Sequence, residues 1–591
     1  WDEEWQYAPL RMIFTIKPDL RHKARLVVGG HVTDASAYDT YASTLSTVNI
    51  RLLMHLAVKN KLNIISGDIG NAYLNASTKE KVYSTAGMEF GDLCGKKVII
   101  RKALYGLKSS ANAWYHELSK AMREMGFNKS SLDGSLWYKM REDQTGYDYI
   151  GHHVDDFIVA AKQPMIYLYQ LGKKFTLTGG TPPETYLGQT LEMLEDQSGW
   201  KISTAEYLKK CLPIVTKISK REHLGTASTP TKTDWHPEMY TSPLLNDTKR
   251  REYQQLLGIG IWLVTIGRID ITFAITSLSR YTHIAREEHF DDLVRVFKYL
   301  NKYPNRYLTF EDGELLLEFP LQMKEIWKKK REEMKSYYVD ATDEWDPSFP
   351  QPAGRSSRIT VFVDADHASN LADRRSITGI IIFVDNALYK YVSKRQGTIE
   401  SSTFGAEFAA MRVAVEESIA VQNTLRSLGI PTEPVTILGD NLSVIHNSTI
   451  PGSVLKKKHI SIAYHKVREC VAAGIIEVSH ITSKDNLADI LTKSLGSIIF
   501  RQLLSRCMKG QGLGISIITE ENEDEKRSSK NLIGLSLYER INSPIQIDNF
   551  VSSPPSNENL VESTIPGSNC SVLGSVQKSD GTGVTRELNM G

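Results

Sequence analysis

Asp68, Asp155 and Asp156 are the residues in the first third of the chain whose type and setting could do chemistry. Asp68 follows the apolar β-type run Leu62 to Ser66. Asp155-Asp156 lies between two β-rich runs, Tyr147 to Val154 and Phe157 to Ala161, which read as a tight hairpin with two carboxylates at its tip. Oxygen ligands of this kind hold Mg²⁺ ions about 3.5 to 4 Å apart for phosphoryl transfer, one ion activating the attacking hydroxyl and the other stabilising the leaving pyrophosphate. An acidic hairpin tip alone fits a solvated turn equally well; the third aspartate, at a separate strand end, is what favours metal. A second set is spread over the later chain: Asp364 ends a strand, Glu407 lies in the first turns of a long helix, Asp440 ends another strand and Asp489 falls in a final helix. Each singly is an ordinary surface or helix-terminal acid. Converging at one end of a sheet, the four would make another two-metal site, activating water against a phosphodiester.

The elements that must position them are legible as patterns. A helical stretch with Leu52, Leu53, Leu56 and Ala57, which Thr47 or Asn49 would cap, precedes the Asp68 strand. A second helix follows Ser109, with Trp114, Leu118, Met122 and Met125 at helical spacing and Gly126 as its stop. From Arg358 the order is strand (Ile359 to Val363), strand (Ile377 to Val384), strand (Leu388 to Ser393) and helix (Ser402 to Leu428). It continues with strand (Val435 to Leu438), helices (Asn441 to Asn447, Ile460 to Ala473), strand (Ile475 to His480) and helix (Asn486 to Leu495). Three consecutive strands followed by alternating helices and strands is the order of an RNase H-like fold.

The strings Gly67-Asp68-Ile69-Gly70-Asn71-Ala72-Tyr73-Leu74-Asn75, Ala103-Leu104-Tyr105-Gly106-Leu107-Lys108, Ala113-Trp114-Tyr115 and Val154-Asp155-Asp156 resemble, in order and spacing, the Ty1/copia-type reverse transcriptase of LTR retrotransposons. His22 to His31 resembles that family's fingers motif. Val363 to Ala368, Arg374-Arg375-Ser376, Ser393 to Gln396, Ala406 to Met411, Gly439-Asp440-Asn441, Lys458-His459-Ile460 and Lys484 to Lys493 resemble the copia-element RNase H.

The resemblance implies that Asp68 and Asp155 are metal ligands with Asp156 as a supporting catalytic carboxylate. Lys23 and Arg25 would grip the incoming triphosphate, and Tyr73 would be a steric gate against a 2′-hydroxyl; its alternative is a core tyrosine. Lys108 and His153 are further substrate-binding candidates. Asp364, Glu407, Asp440 and Asp489 would be the catalytic metal ligands of the nuclease, with Asp366 in a supporting place. Tyr186-Leu187-Gly188 resembles the stretch that supports a primer end. His153, where the family has an aromatic, and Ser109, where it has glutamine, depart from the pattern. The implied cofactor is Mg²⁺, two ions per site, with Mn²⁺ as a substitute. The implied partners are an RNA template, a DNA primer, RNA–DNA hybrid, deoxynucleoside triphosphates and other polyprotein products, without a membrane. The implied location is a cytoplasmic virus-like particle, later the nucleus.

The expected fold is multidomain, α+β and α/β: polymerase fingers and palm over residues 1–232, a helical thumb or connection over 233–312 and a linker over 313–357. An RNase H-like domain with a mixed sheet follows over 358–510, and a largely disordered tail over 511–591. Composition agrees. At 591 residues the chain exceeds one hydrophobic core. Lysine plus arginine (71) nearly balance aspartate plus glutamate (69), so nucleic-acid affinity must come from local patches such as Arg21 to Arg25 and Lys456 to Lys458. Five scattered cysteines without a CxxC pair argue against a disulfide framework and a structural zinc. The longest apolar run, Leu256 to Ile266, is shorter than the roughly 18 residues of a membrane span, so a soluble protein is expected. The opening at Trp1 points to a piece of a longer translation product, and protease and integrase patterns are missing. Two rivals stand: a decayed or domesticated retroelement remnant that binds nucleic acid without turnover, and a metal phosphohydrolase built on His152, His153 and Asp155-Asp156.

Overall fold

The computed structural model describes residues 4–16, 20–315, 321–453, 455 and 460–513. The expected disordered tail, apart from residues 511–513, and the Lys456-Lys457-Lys458-His459 cluster lie outside these residues.

The first body is organised by a six-stranded antiparallel sheet in the order Leu177–Thr181, Asn63–Ile69, Asp156–Ala161, Tyr147–His153, Leu136–Met140, Asn128–Lys129. Its central strands are apolar on both faces, because helix Ser110–Glu124 buries Trp114, Leu118 and Met122 on one side and helix Thr47–Lys59 covers the other. The hairpin Leu10–Ile16/His22–Val28 forms its own two-stranded sheet, the place expected for fingers. Helix Thr47–Lys59 is capped one residue earlier than expected: the Ser46 side chain accepts from the Asn49 amide at 3.1 Å, and Thr47 is already helical. Helices Asp247–Ile266, Thr272–Ser279 and Glu287–Lys302 make the 233–312 stretch mainly helical, up to strand Arg306–Glu311.

The second body has a five-stranded mixed sheet in the order Ala387–Arg395, Ile377–Val384, Ile359–Ala365, Val435–Gly439, Ile476–His480. The first three strands are antiparallel and the last two join in parallel. Helix Thr403–Arg426, capped by Ser402, packs along its face. The expected final helix from Asn486 is instead a short 3₁₀ turn, Leu487–Leu491, because Asn486 spends its side chain on the Val363 carbonyl (3.0 Å) and the Ala488 amide (3.2 Å). The stretch read as a linker contains helix Leu321–Lys335, which docks on helix Ser461–Ala473. There the Trp327 indole donates to Ser479 Oγ at 3.0 Å and Arg331 pairs with Glu477 at 2.9 Å. The prolines after it break regular structure as expected.

Helix Thr47–Lys59 is apolar nearly all round because it lies between the two sheets. Three of its polar residues, Arg51, His55 and Lys59, fall at i, i+4 and i+8, on one stripe, and all three serve the second body. Arg51 donates to the Tyr389 carbonyl at 3.2 Å and also to that of Thr265 at 2.7 Å. His55 Nε2 lies 2.8 Å from Asp385 Oδ2, and Lys59 donates to the same oxygen at 2.7 Å and to Ser357 Oγ at 2.9 Å. Burial works to raise the Asp385 carboxyl, but His55 and then Lys59 outweigh it and hold it down at about 2. A carboxyl depressed by folding adds stability above its unfolded pKa of about 4, and that contribution is lost as pH falls toward 2. Asp385→Ala leaves the lysine buried without its counter-charge and should cost about 3–5 kcal/mol in urea unfolding of the full chain at pH 7. The gap between variant and parent should narrow as pH is lowered from 4 toward 2.

Candidate active sites

The first site forms where three chain segments are fastened together. Asp68 and Asp156 are cross-strand partners in register, and the Asp155 carbonyl accepts from the Ile69 amide at 2.9 Å. On the other side the Trp114 indole donates to the Val154 carbonyl at 2.7 Å. Val154 stands at φ +60°, the left-handed turn geometry that swings Asp155 to the tip between strands Tyr147–His153 and Asp156–Ala161. Burial first, then the charges of Asp155 and Asp68, push the Asp156 carboxyl up to about 6, with His153 opposing. Asp156 thus feels both burial and the charges of Asp155 and Asp68, a setting that a cation relieves.

Around them, the Arg25 guanidinium lies 5.6 Å from the Tyr105 ring centre, and Tyr105 packs on Tyr73 with centroids 4.7 Å apart. Burial, then the charges of Tyr105 and Asp155, raise the Tyr73 hydroxyl, and its ring packs in part against the core. Tyr105 is a link that motif reading quoted without giving it a part. Lys23 shares the strand face of Arg25, two residues along. His153 stands opposite Asp156, with Nδ1 3.2 Å from the Leu45 carbonyl. The Lys108 ammonium is tied to the Thr33 carbonyl at 2.6 Å, away from the carboxylates, and Tyr186 Oη donates to the Asp156 carbonyl at 3.3 Å. Ser109 serves packing: its amide donates to buried Glu80 at 2.8 Å and its hydroxyl donates to the same oxygen at 2.5 Å. His152 is buried against Tyr115, and burial brings its pKa down to about 4. Strand alternation sends it and His153 to opposite faces, so the two imidazoles do not form one metal pocket.

In the second site Asp364, Glu407 and Asp440 each bring a carboxylate oxygen within 4.8 Å of the others. Asp364 is the penultimate residue of the central strand Ile359–Ala365, Glu407 comes from the second turn of helix Thr403–Arg426, and Asp440 follows strand Val435–Gly439. Asp489 joins from its 3₁₀ turn through Lys493, whose ammonium lies 2.9 Å from Asp489 and 3.3 Å from Asp364. Burial and then Asp364 and Asp440 push the Glu407 carboxyl up to about 9; burial and Asp364 bring Asp489 to about 7. The donors are all oxygens with surplus negative charge, which fits a hard divalent cation. Asp366 is spent within its loop, accepting from the Ser369 hydroxyl and the Ile377 amide.

Residues 3–230 match the family model for reverse transcriptase (RNA-dependent DNA polymerase). The chain is 26% identical over 509 residues to the Retrovirus-related Pol polyprotein from transposon RE1 of Arabidopsis thaliana, covering 84% of this chain and 31% of that protein. To the corresponding polyprotein from transposon TNT 1-94 of Nicotiana tabacum it is 23% identical, covering 82% and 34%. Over these spans the chain is similar to Ty1/copia-type Pol polyproteins, and its first 230 residues to their reverse transcriptase region. It spans about a third of the length of these curated relatives. A foamy viral protease-reverse transcriptase solved with dsDNA aligns with a TM-score of 0.42 at 13% identity, covering 80% of this chain and 78% of that one.

The raised Asp156 carboxyl has a consequence for stability. Its folded pKa of about 6 exceeds the unfolded value of about 4, so the fold carries no penalty below pH 4 and the full penalty above 6. Asp156→Asn should raise the metal-free melting temperature above pH 6 and leave it unchanged below pH 4. Saturating Mg²⁺ should shrink the difference, as read by differential scanning calorimetry.

Proposed function

We propose that this chain is an RNA-directed DNA polymerase with an associated ribonuclease H, copying an element's RNA into DNA and degrading RNA in the resulting hybrid. The observation that carries the reading is the pair of carboxylate sets in one chain, Asp68 in register with Asp156 in one sheet and Asp364, Glu407 and Asp440 within 4.8 Å of one another at the other. Asp68 and Asp155, supported by Asp156, would hold Mg²⁺ in the first site; Asp364, Glu407, Asp440 and Asp489 would hold it in the second, and Mn²⁺ would suit both. Once bound, the ions supply neutralisation of phosphate charge and activation of the attacking hydroxyl or water.

The chain's own groups do the positioning. Lys23 and Arg25 meet the triphosphate, the lysine as a point charge and the arginine as a fork. Tyr73, braced by Tyr105, closes the space a 2′-hydroxyl would need. His153 lies beside the carboxylates on the substrate side, and Tyr186 steadies the Asp156 backbone. Lys108 would have to leave the Thr33 carbonyl to touch substrate. Because Ser109 is absorbed by Glu80, its departure from the family pattern needs no loss of activity to explain it. Template RNA, DNA primer, hybrid, deoxynucleotides and the element's other polyprotein products are the partners in this reading, inside cytoplasmic particles and later the nucleus.

The test is primer extension on an RNA template and cleavage of an RNA–DNA hybrid, both with Mg²⁺. Asp155→Asn should reduce extension by more than about 100-fold and leave cleavage intact; Asp440→Asn should do the reverse. Hybrid binding without Mg²⁺-dependent turnover by the unmutated chain would establish the retroelement-remnant reading instead. Tyr73→Ala should raise ribonucleotide incorporation relative to deoxynucleotide in the same extension assay.

A further inference from the structure

Lys493 places a cation among carboxylates that otherwise repel one another. It follows the Leu487–Leu491 turn, four residues after Asp489, and its ammonium stands 2.9 Å from Asp489 Oδ1 and 3.3 Å from Asp364 Oδ2. The neighbouring Thr492 hydroxyl donates to the same Asp364 oxygen. Asp364 therefore faces two ways. Toward Glu407 and Asp440 it completes an oxygen trio within 4.8 Å, and the ammonium also lies 3.5 Å from its second oxygen, Oδ1. Toward Asp489 the gap is bridged by the ammonium. A unit charge at these distances from two carboxylates takes the place, in position and sign, of a divalent ion they would share. Its hold is through these ion pairs alone: the stem is four methylenes long and the side chain is 39% exposed, so the ammonium has a path to water.

We propose that Lys493 is a displaceable placeholder cation. This rests on the nuclease reading of the second site. While only the Asp364–Glu407–Asp440 side carries an ion, Lys493 neutralises Asp364 and Asp489; a second ion binds by displacing it. Ion loading is therefore sequential, with a tighter first step and a second weakened by competition, and Lys493 is a positioning residue that holds the carboxylates in place between rounds of loading.

Calorimetric titration of Mn²⁺ into the full chain carrying Asp68→Asn and Asp155→Asn, which silence the first site, separates the two steps. Adding Lys493→Gln should tighten the weaker step by on the order of tenfold and leave the tighter one unchanged. A weaker step that is unchanged or lost, in protein with parental circular dichroism, would overturn the proposal. A second measurement needs no variant at Lys493: reductive methylation of the unmutated chain should label Lys493 slowly without ions and rapidly at saturating Mn²⁺. Labelling indifferent to Mn²⁺ would overturn the proposal as well. If Asp364→Asn in the silenced chain leaves Mn²⁺ binding unaltered, the ions bind elsewhere and the nuclease reading itself fails.

Discussion

Like-charged carboxylates held close together at sheet ends are the constraint on which the rest of the molecule depends. Such groups separate in water, and at Glu407 and Asp489 burial, then the neighbouring carboxylates, raise the proton affinity. Backbone holds them in place. In the first site the Asp155 carbonyl and the Val154 carbonyl are bound from opposite sides, by Ile69 and Trp114, so the hairpin tip cannot splay. In the second, antiparallel and parallel partners flank the central strand that carries Asp364, and Asn486 fastens the Asp489 turn to Val363. The strain is electrostatic and is stored in rigid pairing, which lets arriving cations stabilise the site with little rearrangement.

The two bodies are joined by a buried stripe of polar residues on one helix rather than by a flexible tether. Arg51, His55 and Lys59 reach carbonyls and a carboxylate of the second body from a helix that otherwise packs apolar surface on both sides. An ion cluster of this kind stabilises little relative to apolar packing, yet it tolerates no partial loss, and so it fixes how the bodies dock. Strand Lys509–Gly510 adds to this by pairing with Arg306–Glu311, so the chain beyond the second body returns to the sheet that carries Tyr186.

Much of this was legible in the order of residues, and the physical reason is locality. The Asp155-Asp156 hairpin, the strand carrying Asp364 and the helix bearing Glu407 are each specified by alternation, turn residues or caps within a dozen positions. What was illegible is nonlocal. His55 and Lys59 meet Asp385 across 330 and 326 residues, and no local pattern marks a polar helix stripe as intramolecular rather than solvated. The Leu321–Lys335 segment reads as a charged helix-like run within a linker, because nothing local marks Trp327 and Arg331 as residues that dock it. The Asn486 turn read as helix because its apolar spacing is helical, while the competing side-chain bonds to Val363 and Ala488 are visible only in three dimensions. Ser109 read as a departure from a motif until Glu80 supplied its partner.

In the proposed function both carboxylate sets are cation sites. Anomalous diffraction from crystals of the chain grown with Mn²⁺ and an RNA–DNA hybrid tests it most directly. The account predicts manganese peaks between Asp68 and Asp155 and among Asp364, Glu407, Asp440 and Asp489, each beside a backbone phosphate. Peaks confined to the His152 and His153 imidazoles, or carboxylate sets that stay free of manganese with the hybrid bound, would contradict it.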